Sequence, residues 1–226
     1  MQMKLGCILM AAGAGQRFGG NKLLAAYDGL PLYVRALRCI PVEEFAGVAV
    51  VARDETILSA ARAHGFVPVY NPAPEDGVSR TIALGMRALP GMDALLFLVA
   101  DQPLLRRESV AALVRLWRQR PDLPAALGPE SISAFLAFFR AHSGNIVAMG
   151  HGMQRGNPVI FPKQFFPGLR ALTGDAGGSA VIRAHKEALL LFEISDPLEL
   201  ADVDTAEALR LLSDAHKKAD ETEEMA

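Results

Sequence analysis

Short, unbroken apolar runs alternate along this chain with segments whose apolar residues recur every three to four positions. Leu5 to Met10, Gly47 to Ala52 and Ala94 to Ala100 are apolar throughout, the pattern of strands covered on both faces. Phe66 to Tyr70 reads as a further short strand. Between them, Leu32 to Ile40, Glu55 to His64 and Val78 to Leu89 carry the helical period; the first has Pro31 near its first turn and the second stops at Gly65. This β-α-β rhythm predicts a parallel sheet with helices on both faces. The second half is less regular. Glu108 to Gln119 is an amphipathic helix that buries Trp117 in the core. Ile146 to Met149 and Val159 to Phe161 read as strands flanking a turn around Gly150-His151-Gly152, followed by a helix at Ala180 to Glu187 and a strand at Leu189 to Ile194. Ser133 to Arg140, with Phe135, Leu136, Phe138 and Phe139, reads as a helix on the core, a protein-binding ridge being the alternative.

With 226 residues, no internal repeat and no long linker, the pattern predicts one α/β domain over residues 1–212, with a mostly parallel, mixed sheet of Rossmann-like type. Residues 213–226 form a charged tail without apolar periodicity, expected to be disordered. Charge changes the picture only by exclusion. The net charge is −2 and no basic stripe runs along the chain, which argues against nucleic acid. No apolar run is long enough to cross a membrane, and Met1-Gln2-Met3-Lys4 lacks a leader pattern, so the expected location is cytoplasmic. Cys7 and Cys39 read as buried thiols. His142 and His151, without a cysteine or histidine cluster, do not read as zinc ligands.

The candidate chemistry begins directly after the first strand, in Ala11-Ala12-Gly13-Ala14-Gly15-Gln16-Arg17-Phe18-Gly19-Gly20-Asn21-Lys22. Glycines that allow close backbone approach, beside Arg17 and Lys22, make a polyphosphate site. Two commoner motifs fail. A Walker A loop needs Lys followed by Ser or Thr, but Leu23 follows Lys22, and Phe18 occupies the third glycine position of the dinucleotide fingerprint. A flexible loop with two solvated cations is the plain alternative. Asp101, directly after the apolar run, falls at the carboxyl end of its strand and therefore on the same rim as the loop. There it is either a Mg²⁺ ligand or the cap of the next turn. Ser79 and Thr81 fit contacts to a nucleobase, though Ser79 also fits a helix cap. Asp204, with Glu207 three residues on, reads equally as a second carboxylate ligand or as a capping-box start.

The run Ala-Ala-Gly-x-Gly-x-Arg-Phe-Gly followed by Lys-Leu-Leu resembles the signature of the nucleotidyltransferase superfamily, and more narrowly the molybdenum cofactor cytidylyltransferases. Val99-Ala100-Asp101-Gln102-Pro103 resembles that family's metal-binding strand end, and Gly77-Val78-Ser79-Arg80-Thr81-Ile82 its base-binding turn. Gly156-Asn157-Pro158-Val159 and Gly174-Asp175-Ala176-Gly177 resemble its pterin-side motifs, and Asp202-Val203-Asp204-Thr205 its closing motif. Arg80, Ser179, Ala206 and the long segment from Pro124 to Gly144 depart from the pattern; Ser179 stands where a basic residue often follows the Gly-Asp-x-Gly turn.

The resemblance implies transfer of CMP from CTP to a molybdopterin-type cofactor, with Mg²⁺ and release of pyrophosphate. It implies Ala11, Ala12, Gly13, Gly15, Arg17, Lys22, Ser79 and Thr81 at the nucleotide, with Lys22, Arg17 and Asp101 catalytic. Asp101 and Asp204 would hold the metal, and Gly156, Asn157, Pro158 and Asp175 the acceptor. The methyl of Ala12, where the guanylyl branch resembles Ala-Gly-Gly, favours CTP. A guanylyltransferase and a transferase for another small phosphorylated molecule stay open. So does a carrier that binds the finished cofactor and hands it to an apo molybdenum hydroxylase.

Overall fold

The structure, a computed structural model, describes residues 3–13, 18, 20–118 and 144–213. Gly15, Arg17, the Ser133 to Arg140 segment, His142 and the tail from Asp214 lie outside the described residues. The strands are β1 (Leu5–Ala11), β2 (Ala26–Tyr27), β3 (Leu30–Pro31), β4 (Gly47–Ala52), β5 (Val67–Tyr70), β6 (Ala94–Val99), β7 (Ile146–His151), β8 (Gln154–Pro162) and β9 (Leu189–Glu193). The helices are α1 (Leu32–Arg38), α2 (Glu55–Ala63), α3 (Val78–Ala88), α4 (Arg107–Trp117), α5 (Phe166–Arg170), α6 (Gly178–Ala184) and α7 (206–213).

Seven strands form one sheet in the order β5-β4-β1-β6-β8-β7-β9, and β2 pairs with β3 in a small separate ribbon. β5, β4, β1 and β6 are parallel, as the unbroken apolar runs predict. β8 is antiparallel to both β6 and β7, while β9 runs parallel to β7, so the sheet is mixed through a single reversed strand. The alternation of the pleat explains why β1 must be apolar throughout. Leu5, Cys7, Leu9 and Ala11 face a core layer with α1, α2 and α4, where Trp117 is buried. Ile8 faces a second layer with Ile82 and Met86 of α3, Phe166 and Leu169 of α5, and Val181 and Ile182 of α6. Cys7 and Cys39 are buried free thiols.

Two expectations in the second half need correction. The turn at Gly150-His151-Gly152 is tighter than its glycines imply: β7 runs on to His151 and β8 starts at Gln154. Gly156, Asn157 and Pro158 therefore lie on a strand, ahead of the apolar Val159–Pro162 half that alone is legible as one. The predicted helix at Ala180 to Glu187 begins two residues earlier, at Gly178, and ends at Ala184.

Chain crossings place the site. The chain passes from β1 to β4 and β5 on one side and then crosses back to β6 on the other, so the direction of winding reverses at β1. A crevice opens at the carboxyl ends of such strands, and Ala12 and Gly13 after β1 and Asp101 after β6 border it.

Candidate active site

Lys22 is the centre of the site. It opens a single 3-10 turn, Lys22–Leu24, capped by Asn21, whose side chain accepts the Leu23 N–H at 3.1 Å. Asn21 also donates to Asp54 at 3.0 Å, and Asp54 caps α2. The turn is thus fastened to the end of β4, and Lys22 points into the fold with only 8% of its surface exposed. Its Nζ donates to Asp101 Oδ2 at 2.7 Å and to Asp204 Oδ1 at 3.1 Å. Burial of the ammonium opposes its charge, but the charges and hydrogen bonds of the two carboxylates outweigh that cost. Lys22 therefore titrates above the ordinary lysine range. An ordinary surface lysine is ruled out by this burial.

Asp204 reaches Lys22 because the Val203 N–H donates to the Asp101 carbonyl at 2.9 Å, laying the C-terminal segment along the end of β6. The capping reading of Asp204 needs correction. Thr205 caps α7: its Oγ1 accepts the Ala208 N–H at 3.0 Å, and its carbonyl accepts the Leu209 N–H. A Thr one residue downstream supplies the cap geometry, so Asp204 turns to the lysine. Ser79 is not a cap either. Gly77 holds that position, without a side-chain cap, and Ser79 is buried in the first turn of α3, with its N–H donating to the Gly174 carbonyl. Gly77 has φ +93°, and a Cβ there would lie 2.2 Å from the Gly174 carbonyl carbon, so only glycine lets the 174–177 loop dock on α3.

These contacts enclose a cleft of about 530 Å³. Ala12, Gly13, Lys22, Thr81, Asp101, Asp175 and Asp204 line it, seven of the expected site residues; Ser79 is not on its wall. Pro74 and Glu75 line it too, and no sequence signal marked them. Thr81 Oγ1 accepts a hydrogen bond from Asn71 Nδ2 at 3.2 Å, and Asn71 in turn accepts from Arg80 Nε. A second hollow of about 340 Å³ lies on the other side of Ala12 and Gly13, against Ala11, Arg53 and Asp54. A third, of about 210 Å³, shares Met10, Val78 and Val99 with the main cleft and holds Asn157. Asp175 thus borders the main cleft, apart from Asn157, although both stand in motifs expected on the acceptor side.

Asp101 and Asp204 converge on one cation, and hard carboxylate oxygens suit Mg²⁺, which needs only one or two of them alongside substrate phosphates. The donor set fits that ion. Asp202 completes the acidic surroundings. Burial of its carboxyl, then the charges of Asp101 and Asp204, push it up to about 6, against the pull of Lys22 and a hydrogen bond from Gln102. Gln102 itself is buried and donates to the Leu200 carbonyl, which ties the segment ahead of Asp202 to the end of β6.

A cleft at the switch point of an α/β sheet, with a buried lysine between two carboxylates and the Ala12-Gly13 backbone beside it, is the architecture of a nucleotidyltransferase. Comparison with known proteins agrees: the chain belongs to the family of MobA-like NTP transferase domains, matched over residues 7–189. It is 28% identical to the purine catabolism protein PucB of Bacillus subtilis (strain 168), over 88% of this chain and 91% of that one. It is also 28% identical to a 3-deoxy-manno-octulosonate cytidylyltransferase of Anaeromyxobacter sp. (strain Fw109-5), over 95% of this chain and 86% of that one. A solved nucleotidyl transferase from Methanothermobacter shares the fold with a TM-score of 0.71 at 17% identity, covering 96% of this chain and 99% of the other. No helix among the described residues is long and apolar enough to cross a membrane.

Proposed function

We propose that the protein transfers CMP from CTP to a molybdopterin-type acceptor. An oxygen of the acceptor's phosphate attacks the α-phosphorus of CTP, the bond from that phosphorus to the bridging oxygen breaks, and pyrophosphate leaves. The observation that carries this reading is the Lys22–Asp101–Asp204 cluster lining a cleft that adjoins the more apolar hollow of about 210 Å³ holding Asn157. One volume takes the triphosphate and the other the acceptor, and the two meet beside the cluster.

A phosphate nucleophile is already ionised near neutral pH, so no strong base is needed, and positioning with electrostatics supplies most of the rate. The Lys22 ammonium, held charged by its two partners, donates to the α-phosphate oxygens as charge builds there. Asp101 and Asp204 would hold Mg²⁺, which when bound supplies charge neutralisation at the phosphates. Gly13 presents bare backbone to the triphosphate, Gly15 and Arg17 extend the grip, Ala11 and Ala12 border the nucleotide, and Thr81 faces its base with the buried Ser79 behind the wall. Gly156, Asn157 and Pro158 flank the acceptor, with Asp175 at the boundary. Residues 1–212 act as the whole catalytic domain.

The test is pyrophosphate release from each NTP with a panel of phosphorylated acceptors, molybdopterin included. The expected result is Mg²⁺-dependent release with CTP and molybdopterin. Faster release with GTP, or with a different acceptor, overturns the assignment while leaving nucleotidyl transfer in place.

A further inference from the structure

The hollow beside the main cleft has a polar end that the reaction chemistry above does not use. Its walls are largely apolar, with Ile82, Phe97, Val159, Phe161, Leu169 and Ile182 contributing. Into it reaches Arg155, the residue just ahead of Gly156-Asn157-Pro158 on β8, and its guanidinium donates to Ser179 Oγ at 2.9 Å. Val159 pairs with Phe97, so the start of β8, including Arg155, runs past the carboxyl end of β6 and onto the rim where the nucleotide cleft opens. Arg155 is part-buried, and no carboxylate among the described residues pairs with it; its hydrogen-bonding partner is a neutral hydroxyl. Burial, then the nearby charge of Arg183 on α6, lower its pKa. Burial and the charge of Arg183 both work against the Arg155 charge in this apolar hollow, and an entering anion would offset them.

We propose that Arg155, with Ser179 and Arg183 beside it, forms an oxyanion subsite that anchors a phosphate or carboxylate group of the acceptor while the acceptor's apolar body fills the adjoining hollow. A guanidinium offers a planar pair of donors to either oxyanion, and Ser179 adds a hydroxyl from the side. The site also accounts for the departure at Ser179. The positive charge expected after the Gly174-Asp175-Ala176-Gly177 turn is supplied from β8 across the hollow, and a small residue at 179 leaves room for it. The inference rests on the reading of this hollow as the acceptor site. It goes beyond that reading by naming Arg155 as the residue that anchors an anionic group of the acceptor.

Binding of small probes tests it without turnover. Phenyl phosphate and benzoate are titrated into the full chain by calorimetry, with benzamide as the neutral control of similar shape. The expected result is saturable binding of at least one anion, benzamide binding at least tenfold more weakly, and a loss of tenfold or more in anion affinity for Arg155→Gln. Arg155→Lys should retain part of the affinity, and Arg183→Gln, at an exposed position, should lose a few fold. CTP affinity should stay within twofold in all three. Comparing the two anions decides whether the group is a phosphate or a carboxylate. No saturable anion binding by the unsubstituted protein, or unchanged affinity in folded Arg155→Gln, overturns the subsite. If Arg155→Gln does not fold, unchanged affinity in Arg183→Gln and Ser179→Ala together does the same. Anion binding that depends on Arg155, in a protein that does not use molybdopterin, would remove only the acceptor's identity.

Discussion

Lys22 Nζ lies 2.7 Å from Asp101 Oδ2, a contact between residues 79 apart that joins the turn after β1 to the end of β6. Because Asp204 shares the same ammonium at 3.1 Å, the buried lysine balances two carboxylates, Asp101 largely covered and Asp204 exposed. Removing the cation leaves two like charges facing each other. Lys22→Ala is therefore expected to lose about 1–3 kcal/mol of stability in metal-free buffer and to regain part of it in Mg²⁺, while pyrophosphate release falls a hundredfold or more. Asp101→Asn keeps a hydrogen-bonding partner for Lys22, so it should fold normally and lose Mg²⁺-dependent turnover by a similar factor. Thermal melts with and without Mg²⁺, alongside pyrophosphate release, check both. A Lys22→Ala protein as active as the parent would end the phosphate-grip reading.

Thr205 and Asp204 divide cap and site between neighbouring residues. Asp204→Ser should leave the melting temperature within a few degrees of the parent, because the α7 cap is untouched, while the Mg²⁺ concentration needed for half-maximal turnover rises. Thr205→Ala should do the converse, costing about 1 kcal/mol with an unchanged Mg²⁺ requirement. A swap of these two outcomes would return Asp204 to a structural role.

Asp202 gives the fold a defined pH response. Its carboxyl is pushed up to about 6 when folded, from an ordinary value of 3.8, so the folded state holds the proton more tightly. The stability that this group contributes is full below about pH 4 and is lost as pH rises through about 6. In metal-free buffer, Asp202→Asn should gain stability relative to the parent between those pH values. Solvent access at Asp202 keeps the gain to under about 1 kcal/mol. Urea midpoints at pH 4 to 7 measure it; a parent-to-variant difference that does not change with pH refutes the assignment.

Ala12 lines both the main cleft and the hollow beside Arg53. If its methyl narrows the base site, the protein prefers CTP to GTP, and Ala12→Gly relaxes that preference by no more than about a hundredfold. Steady-state kcat/KM for the two nucleotides decides the matter, and selectivity unchanged by the substitution would place base choice elsewhere.

Local pattern by itself determined the frame. The unbroken apolar runs of β1, β4 and β6 can be satisfied only between two helical layers, so the parallel half of the sheet, its two-sided core and the shared rim of the glycine-rich turn and Asp101 follow from residue order. Polar positions behaved differently, because hydrogen bonding depends on what arrives from elsewhere in the chain. Asp204 with Glu207 is as good a cap signal as Thr205, and only the strand-end bond from Val203 to Asp101, which swings Asp204 onto Lys22, separates them. Ser79 has a cap's chemistry, but the approach of Gly174 to Gly77 takes up that end of the helix. Arg155 shows the same limit from the other side: a lone arginine before a glycine has no local signature. Its meaning comes from the reversed strand β8, which carries it past the end of β6 to meet a serine 24 residues on and a second guanidinium, both from α6. Burial is encoded in hydrophobic periodicity that neighbours along the chain share. Charge pairing is encoded in three-dimensional proximity, which for these residues only the assembled sheet decides.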